Sequence, residues 1–178
     1  LLFNQPLPLE MDYNESVFPL TKKSTQFDVT QTSIGQGKTT VTPAHMAMIA
    51  SAIANNGILM KPYIINYIEN SSGNTVKTTE QTEYKRLMSK AEAKQLQEYM
   101  AAVCDYGTAR ILGNSDYDAY GKTGTAELDK NDHINSWFVG YAKKGKKRVA
   151  LAVVLENLPQ GSNSATNCAK EIFDAYLD

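Results

Sequence analysis

Cysteine is scarce. The 178 residues hold two, Cys104 and Cys168, with no CxxC pair. That spacing excludes a disulfide framework and a thiolate zinc site, and each cysteine is expected on a helix face as a small hydrophobe. Histidine is equally sparse. His45 and His133 stand far apart, neither has a second ligand at zinc spacing, and both read as structural. Asp129, Asn131 and Asp132 miss the spacing of a calcium loop and read as turn chemistry. No metal and no organic cofactor is implied. Long apolar runs are missing too: none approaches the ~20 residues of a bilayer-spanning helix. The start, Leu1-Leu2-Phe3-Asn4, lacks the basic and apolar regions of a signal peptide. Because the first residue is not Met, the chain is expected to begin inside a longer protein, with any membrane anchor upstream. Charge of one sign is also absent. With 18 basic and 19 acidic residues the net charge is -1, which leaves no basic stripe for nucleic acid. The one basic run, Lys143, Lys144, Lys146, Lys147 and Arg148 around Gly145, reads as a solvated hairpin turn rather than an anion or membrane contact. Internal repeats and low-complexity segments are lacking.

What is present suits one globular domain. The 42% hydrophobic and 21% charged content is ordinary for a soluble fold, and a chain this long buries roughly two thirds of its unfolded surface. Residues 1–30, with Pro6, Pro8 and Pro19, read as an extended lead. So long a structureless stretch is uncommon, so it is expected to pack against something outside the chain. A helix is expected near 42–56, capped by Thr42 with Pro43 at its first position. Its apolar face would be Met46, Ile49, Ala50, Ile53 and Ala54, and Asn55-Asn56-Gly57 would stop it.

Tyr63–Ile68 and Thr75–Thr78, around Ser71-Ser72-Gly73-Asn74, predict a hairpin. A second helix should start at Ser89, which forms a capping-box pattern with Glu92. Ala93, Leu96, Met100 and Val103 would be its buried stripe and Gly107 its end. Strands follow at 118–127, 134–143 and 147–156, with short turns at 129–132 and 144–146, so they should form an antiparallel meander. The third, Val149–Leu155, is continuously apolar and should be covered on both faces. One cover is a last helix over 163–177 through Ala165, Cys168, Ala169, Ile172, Phe173 and Tyr176; a second is not apparent. The fold class is therefore α+β: an antiparallel sheet, meander plus hairpin, with packed helices.

The chemistry concentrates in Gly121-Lys122-Thr123-Gly124-Thr125-Ala126-Glu127. A lysine followed by hydroxyl residues and glycine on a strand edge makes an anion-facing wall. The ammonium brings charge, the hydroxyls bring hydrogen bonds, and Gly124 lets a ligand approach the backbone. A free edge N–H can stabilise an oxyanion. The same three residues Lys-Thr-Gly also recur by chance on polar strand ends. A phosphate loop at Gly35-Gln36-Gly37-Lys38-Thr39-Thr40 fails its pattern, because Thr32 stands where the first glycine is needed and Pro43 follows too soon for a helix. Nucleotide binding is thus disfavoured.

Lys-Thr-Gly resembles the third signature of the serine penicillin-recognising enzymes, and the extended Lys-Thr-Gly-Thr-Ala-Glu resembles class B penicillin-binding proteins. Ser33-Ile34-Gly35-Gln36-Gly37, Val41–Ala47, Ile53–Gly57 with Lys61-Pro62-Tyr63, Gly107-Thr108-Ala109 and Trp137–Tyr141 stand in that family's order. The resemblance covers most of the chain from about residue 27. It implies a partial transpeptidase fold over 1–178, the C-terminal part of the domain. The other two signatures, Ser-x-x-Lys and Ser-x-Asn, would lie upstream. No lysine here has a serine three residues before it, and Ser72-Gly73-Asn74 reads as accidental.

The resemblance further implies a DD-transpeptidase of peptidoglycan cross-linking that works through an acyl-enzyme, with this chain inactive alone. Lys122 would face the substrate carboxylate, with Thr123 and Thr125 hydroxyls sharing it and Gly124 permitting close approach. The Thr125 backbone N–H would be one oxyanion donor. Glu127 receives no role. The implied partners are peptidoglycan stem peptides, β-lactams as covalent inhibitors, and the N-terminal half of the same domain. The implied location is the extracytoplasmic face of a bacterial membrane. A non-catalytic binding or β-lactam sensor module on the same fold is the alternative.

Overall fold

The computed structural model describes residues 1–128, 133–161 and 164–178. Near-continuous β-rich sequence in the last third of the chain folds as its alternation dictates. β5 (Asp118–Glu127), β6 (His133–Lys144) and β7 (Lys147–Pro159) pair antiparallel in the order β5-β6-β7. Lys144 pairs with Lys147 across a two-residue turn in which Gly145 has φ +58, as a glycine-first hairpin turn requires. The basic run is this turn, as expected: Lys144 Nζ lies 2.6 Å from an Asp116 carboxylate oxygen and Lys143 Nζ 3.5 Å from one of Asp118. The turn expected at 129–132, with Asp129, Asn131 and Asp132, lies outside the described residues.

Helices of this chain pack on both faces of the sheet, although in β7 only Leu151 is buried. On one face Phe138, Ala142 and Leu151 pack with Ala165, Ala169, Phe173 and Leu177 of α4 (Ser164–Leu177). On the other, Tyr141 packs with Ile49 and Ile53 of α2 (Pro43–Ala54) and Met100 of α3 (Lys90–Asp105). The cover missing from the sequence reading is α2. Wrapped by sheet on one side and by the lead on the other, α2 buries His45, Met48 and Ala52 as well as Ile49, Ala50 and Ile53, so its apolar surface is wider than the single face expected. Thr42 caps it, accepting from the His45 N–H at 3.3 Å. Gly57, at φ +88, ends the following turn where an added Cβ would stand 2.2 Å from Met88 O.

Three expectations need correction. The lead is not structureless: Leu2 and Leu7 are buried against Met48, Ala52 and Leu59, and it continues into a helix, α1 (Gln26–Ser33), set by a Thr25–Asp28 capping box, while Met11, Phe18, Phe27 and Val29 stay exposed. Next, α4 is rotated from the expected face. Ile172 and Tyr176 are exposed, and the buried row is Ala165, Ala169, Phe173 and Leu177 at i, i+4 spacing. Two alanines let the helix approach the sheet closely, so that the Phe173 ring meets Phe138 edge-on with centroids 6.2 Å apart. Finally, in α3 the capping box forms, with the Ser89 N–H donating to Glu92 at 2.7 Å. Leu96, however, faces solvent, and its neighbour Gln97 turns inward to donate to Ile53 O at 2.7 Å. Cys104 is buried on this helix, as expected of a small hydrophobe; both cysteines are free.

The predicted hairpin is real but shorter: β2 (Tyr67–Glu69) pairs with β3 (Thr75–Thr78). A further pair, β1 (Ile58–Met60) with β4 (Glu83–Arg86), was not anticipated. Three residues are too few to show a period, and Glu-Tyr-Lys-Arg carries no apolar face.

Candidate active site

In β5 the Lys-Thr-Gly run is flanked by a glycine with no room for a side chain and contains one with little room. At Gly121 an added Cβ would stand 2.3 Å from Cζ of Phe138, and at Gly124 one would stand 3.1 Å from Cβ of Trp137. The strand alternation then splits the run between faces. Lys122 and Gly124 point to the face covered by α2, and Thr123 and Thr125 to the face covered by α4. On the latter side lies an open cleft of about 500 Å³. It is walled by Thr123, Gly124 and Thr125 of β5, by Gly107, Thr108, Arg110 and Ile111 after α3, and by Ile134 and Ser136 of β6; Gly161 and Asn167 close its end. The hydroxyls of Thr108 and Thr123 meet at 2.6 Å.

The outer edge of β5 follows from ladder parity. The Leu128 N–H donates to His133 O at 3.0 Å, so residues of even number bond inward to β6. In an antiparallel pair the N–H and C=O of one residue point the same way. Thr123 and Thr125 therefore turn both backbone groups to the open edge. Two contacts agree with this parity. Thr123 O accepts from Lys122 Nζ at 2.7 Å, and Thr125 O accepts from Gln36 Nε2 at 3.1 Å. The arrangement offers an exposed ammonium, two hydroxyls and outward amides within one short strip of backbone. Such a strip can hold a carboxylate and polarise a carbonyl oxygen.

Of the four residues expected from sequence, Thr123, Gly124 and Thr125 line one cleft, while the Lys122 side chain is exposed on the other face and folds back along the edge. Glu127 is exposed at the end of β5. Thr108, Arg110, Ser136 and Asn167 join the cleft without having been singled out. Only Thr108 carried a signal, through its place in Gly107-Thr108-Ala109. Cys104 lies behind Gly121 and is no stand-in nucleophile: burial, then the Asp105 charge, pushes its thiol up to about 12 against the pull of the Gly121 amide.

Other candidates fall away. Ser72 and Asn74 sit in the β2–β3 turn, where the N–H groups of both donate to Asn70 Oδ1 at 3.0 Å. Gly35 and Gly37 belong to the C-terminal end of α1 rather than to a helix start, and Lys38 pairs with Asp28 at 3.6 Å, which leaves the phosphate-loop reading without a helix N-terminus. His45 is fully buried, with Nε2 2.7 Å from Leu1 O. Tyr141 stacks on Tyr120 with centroids 4.5 Å apart and packs against α2 and α3 rather than facing the cleft.

Comparison with known proteins gives a consistent likeness. Residues 9–175 match the penicillin binding protein transpeptidase domain. The chain is 30% identical over 159 residues to the peptidoglycan D,D-transpeptidase MrdA of Acinetobacter baumannii, covering 82% of this chain and 24% of that protein. It is 33% identical over 153 residues to stage V sporulation protein D of Bacillus subtilis, covering 82% and 23%. Among solved structures, the D,D-transpeptidase domain of a peptidoglycan glycosyltransferase from Eggerthella lenta superposes with a TM-score of 0.84 at 27% identity, over 98% of this chain and 45% of that one. The imipenem acyl-enzyme complex of penicillin-binding protein A from M. tuberculosis superposes with the same TM-score of 0.84 at 25% identity, over 99% and 40%. The chain thus spans less than half of each relative.

Proposed function

The chain belongs to the penicillin-binding protein transpeptidase family, as part of a class B transpeptidase domain, and from that premise we propose that its parent protein is a serine-type DD-transpeptidase that cross-links peptidoglycan stem peptides. The observation that carries this reading is the open edge of β5, where Thr123 and Thr125 turn their amides outward beside Lys122. In this reading the chain is the C-terminal part of the domain over 1–178 and supplies the substrate wall. The nucleophilic serine, in a Ser-x-x-Lys segment, and the Ser-x-Asn segment come from the N-terminal half.

The chemistry follows from the strip. A stem peptide, or a β-lactam in its place, lies along the edge with its carboxylate near Lys122 and the hydroxyls of Thr123 and Thr125. Lys122 leaves the Thr123 carbonyl to do so. Gly124 keeps the backbone approachable. When the serine attacks the carbonyl carbon, negative charge develops on the carbonyl oxygen, and the Thr125 N–H stabilises it together with an amide from the N-terminal half. Collapse of that intermediate breaks the peptide bond, releases the terminal residue of the donor stem as an amine that takes up the serine's proton, and leaves an ester. An acceptor amine then attacks the ester and frees the serine hydroxyl, two easier steps replacing one difficult step. β-Lactams acylate the same serine. The work is done on the extracytoplasmic face of a bacterial membrane, where the substrate is found, with the anchor in another part of the parent.

Labelling of the parent by a fluorescent penicillin tests the site. Losing a charge-assisted hydrogen bond costs about 1.5–3 kcal/mol. Lys122→Met should therefore slow acylation by about 10- to 150-fold, with little change in thermal stability because Lys122 is exposed. Acylation at the parental rate would remove Lys122 from the site. A non-catalytic β-lactam sensor on the same fold would label but fail to join stem peptides.

A further inference from the structure

Gln36 has no part in the chemistry above, yet it is the side chain that reaches β5 from 89 positions away. Its backbone is held firmly. α1 closes in a Schellman cap, in which the Gly35 N–H donates to Thr32 O at 3.1 Å and the Gln36 N–H to Gln31 O at 2.9 Å. Gly35 is left-handed at φ +79 and Gly37 at φ +86. A Cβ on Gly37 would stand 3.2 Å from Cβ of Gln31, so the loop presses back on its own helix. Between these two glycines Gln36 projects to the sheet, and its amide Nε2 donates to Thr125 O at 3.1 Å.

Thr125 O is an edge carbonyl. A peptide-like ligand lying along β5 as an added strand would direct one of its amide N–H groups at that acceptor. Both donors come from the same open edge and compete for one place. The geometry points to Gln36 as a specificity-determining residue: it occupies the Thr125 carbonyl in the free protein and is displaced only by a ligand that brings an amide of its own. Gln36 thereby lowers the advantage of amide-bearing ligands over those that leave Thr125 O untouched. This rests on the reading of β5 as the substrate wall of a transpeptidase.

The test uses the parent protein and two β-lactams. Benzylpenicillin carries an acylamino N–H beside its ring carbonyl, and a penicillanic acid without any 6-substituent does not. Second-order acylation rates are measured by intact mass for the parent, Gln36→Leu and Gln36→Glu. Neither replacement can donate from its side chain at neutral pH. A neutral hydrogen bond is worth about two- to tenfold in an equilibrium. The ratio of benzylpenicillin to penicillanic acid rates should rise by about that factor in both variants. Should Gln36→Leu fail to fold, Gln36→Glu carries the comparison. An unchanged or falling ratio overturns the role of Gln36 while leaving the transpeptidase reading intact. Failure of both compounds to acylate the parent overturns that reading and this inference together.

Discussion

Gly121→Ala is the sharpest perturbation the structure offers, because it adds one methyl at the base of the Lys-Thr-Gly strip. The new Cβ would stand 2.3 Å from Cζ and 2.5 Å from Cε2 of Phe138, where carbon atoms in contact rest at about 3.5–4.0 Å. The ring must move by about 1 Å to restore contact distance. It has nowhere to go. Phe138 is fully buried and held edge-on by Phe173, itself fully buried under α4. Overpacking of this kind costs about 1–3 kcal/mol. Replacing glycine also restricts the unfolded chain, which offsets about 0.4–1 kcal/mol. The net expectation is a loss centred near about 1.3 kcal/mol and reaching about 2.6 kcal/mol, read by urea denaturation of the parent protein. Because Lys122 is next in the chain, the strain passes to the edge, and acylation by benzylpenicillin should fall by about tenfold or more. Shortening the ring should relieve the clash. The double variant Gly121→Ala, Phe138→Leu should be at least about 0.5 kcal/mol more stable than the sum of its single changes. If Gly121→Ala is as stable as the parent, the contact between β5 and Phe138 is not tight and the account of why glycine stands there is wrong.

Two further outcomes follow from local chemistry. Ser89→Ala removes the side-chain acceptor of the Glu92 N–H and should cost about 1 kcal/mol; a loss below about 0.5 kcal/mol, the low end for a lost cap, would show that α3 does not depend on its box. Asp174 gives a pH dependence. Its carboxylate is held below the ordinary 3.8, first by Lys170 and then by the Tyr117 hydroxyl, with contacts of 2.7 Å to each. A lowered folded value means the stabilisation is complete above the unfolded value and disappears as pH falls through the folded one. The group is 39% exposed, so solvent screening limits the effect to under about 1 kcal/mol. Thermal denaturation from pH 6 to 2, a window set on the order of the carboxylate range, should show a decline that Asp174→Asn reduces, and equal slopes in both proteins would remove Asp174 from the cause.

Strong periodicity and cap chemistry were readable from the residues. Thr42-Pro43 and Ser89 with Glu92 set the starts of α2 and α3, because the caps are local hydrogen bonds that no distant contact has to permit. The meander was legible for the same reason: two short polar turns between long β-rich runs leave no topology but antiparallel neighbours. What escaped is what packing decides. α4 presents alanines to the sheet in place of Ile172, since close approach of helix to sheet counts for more than the size of any one side chain. Gln97 takes a core-facing place that its polarity hides, because Ile53 O offers it a partner. The second cover of β7 was already in the chain as α2, but a helix apolar on two sides reads as a single broad stripe. In the site, Lys122, Thr123, Gly124 and Thr125 stood out because their types announce anion chemistry. Gln36 did not, since only folding brings residue 36 to residue 125.

Intact-mass spectrometry after incubation with benzylpenicillin, on this chain and on the parent protein, tests the central claim most directly. The substrate wall without its serine should remain unmodified, and the parent should gain one covalent adduct on a serine within a Ser-x-x-Lys segment. An adduct on the 178-residue chain itself, or none on the parent, would contradict the division of the site between a wall on β5 and a nucleophile from the other half of the domain.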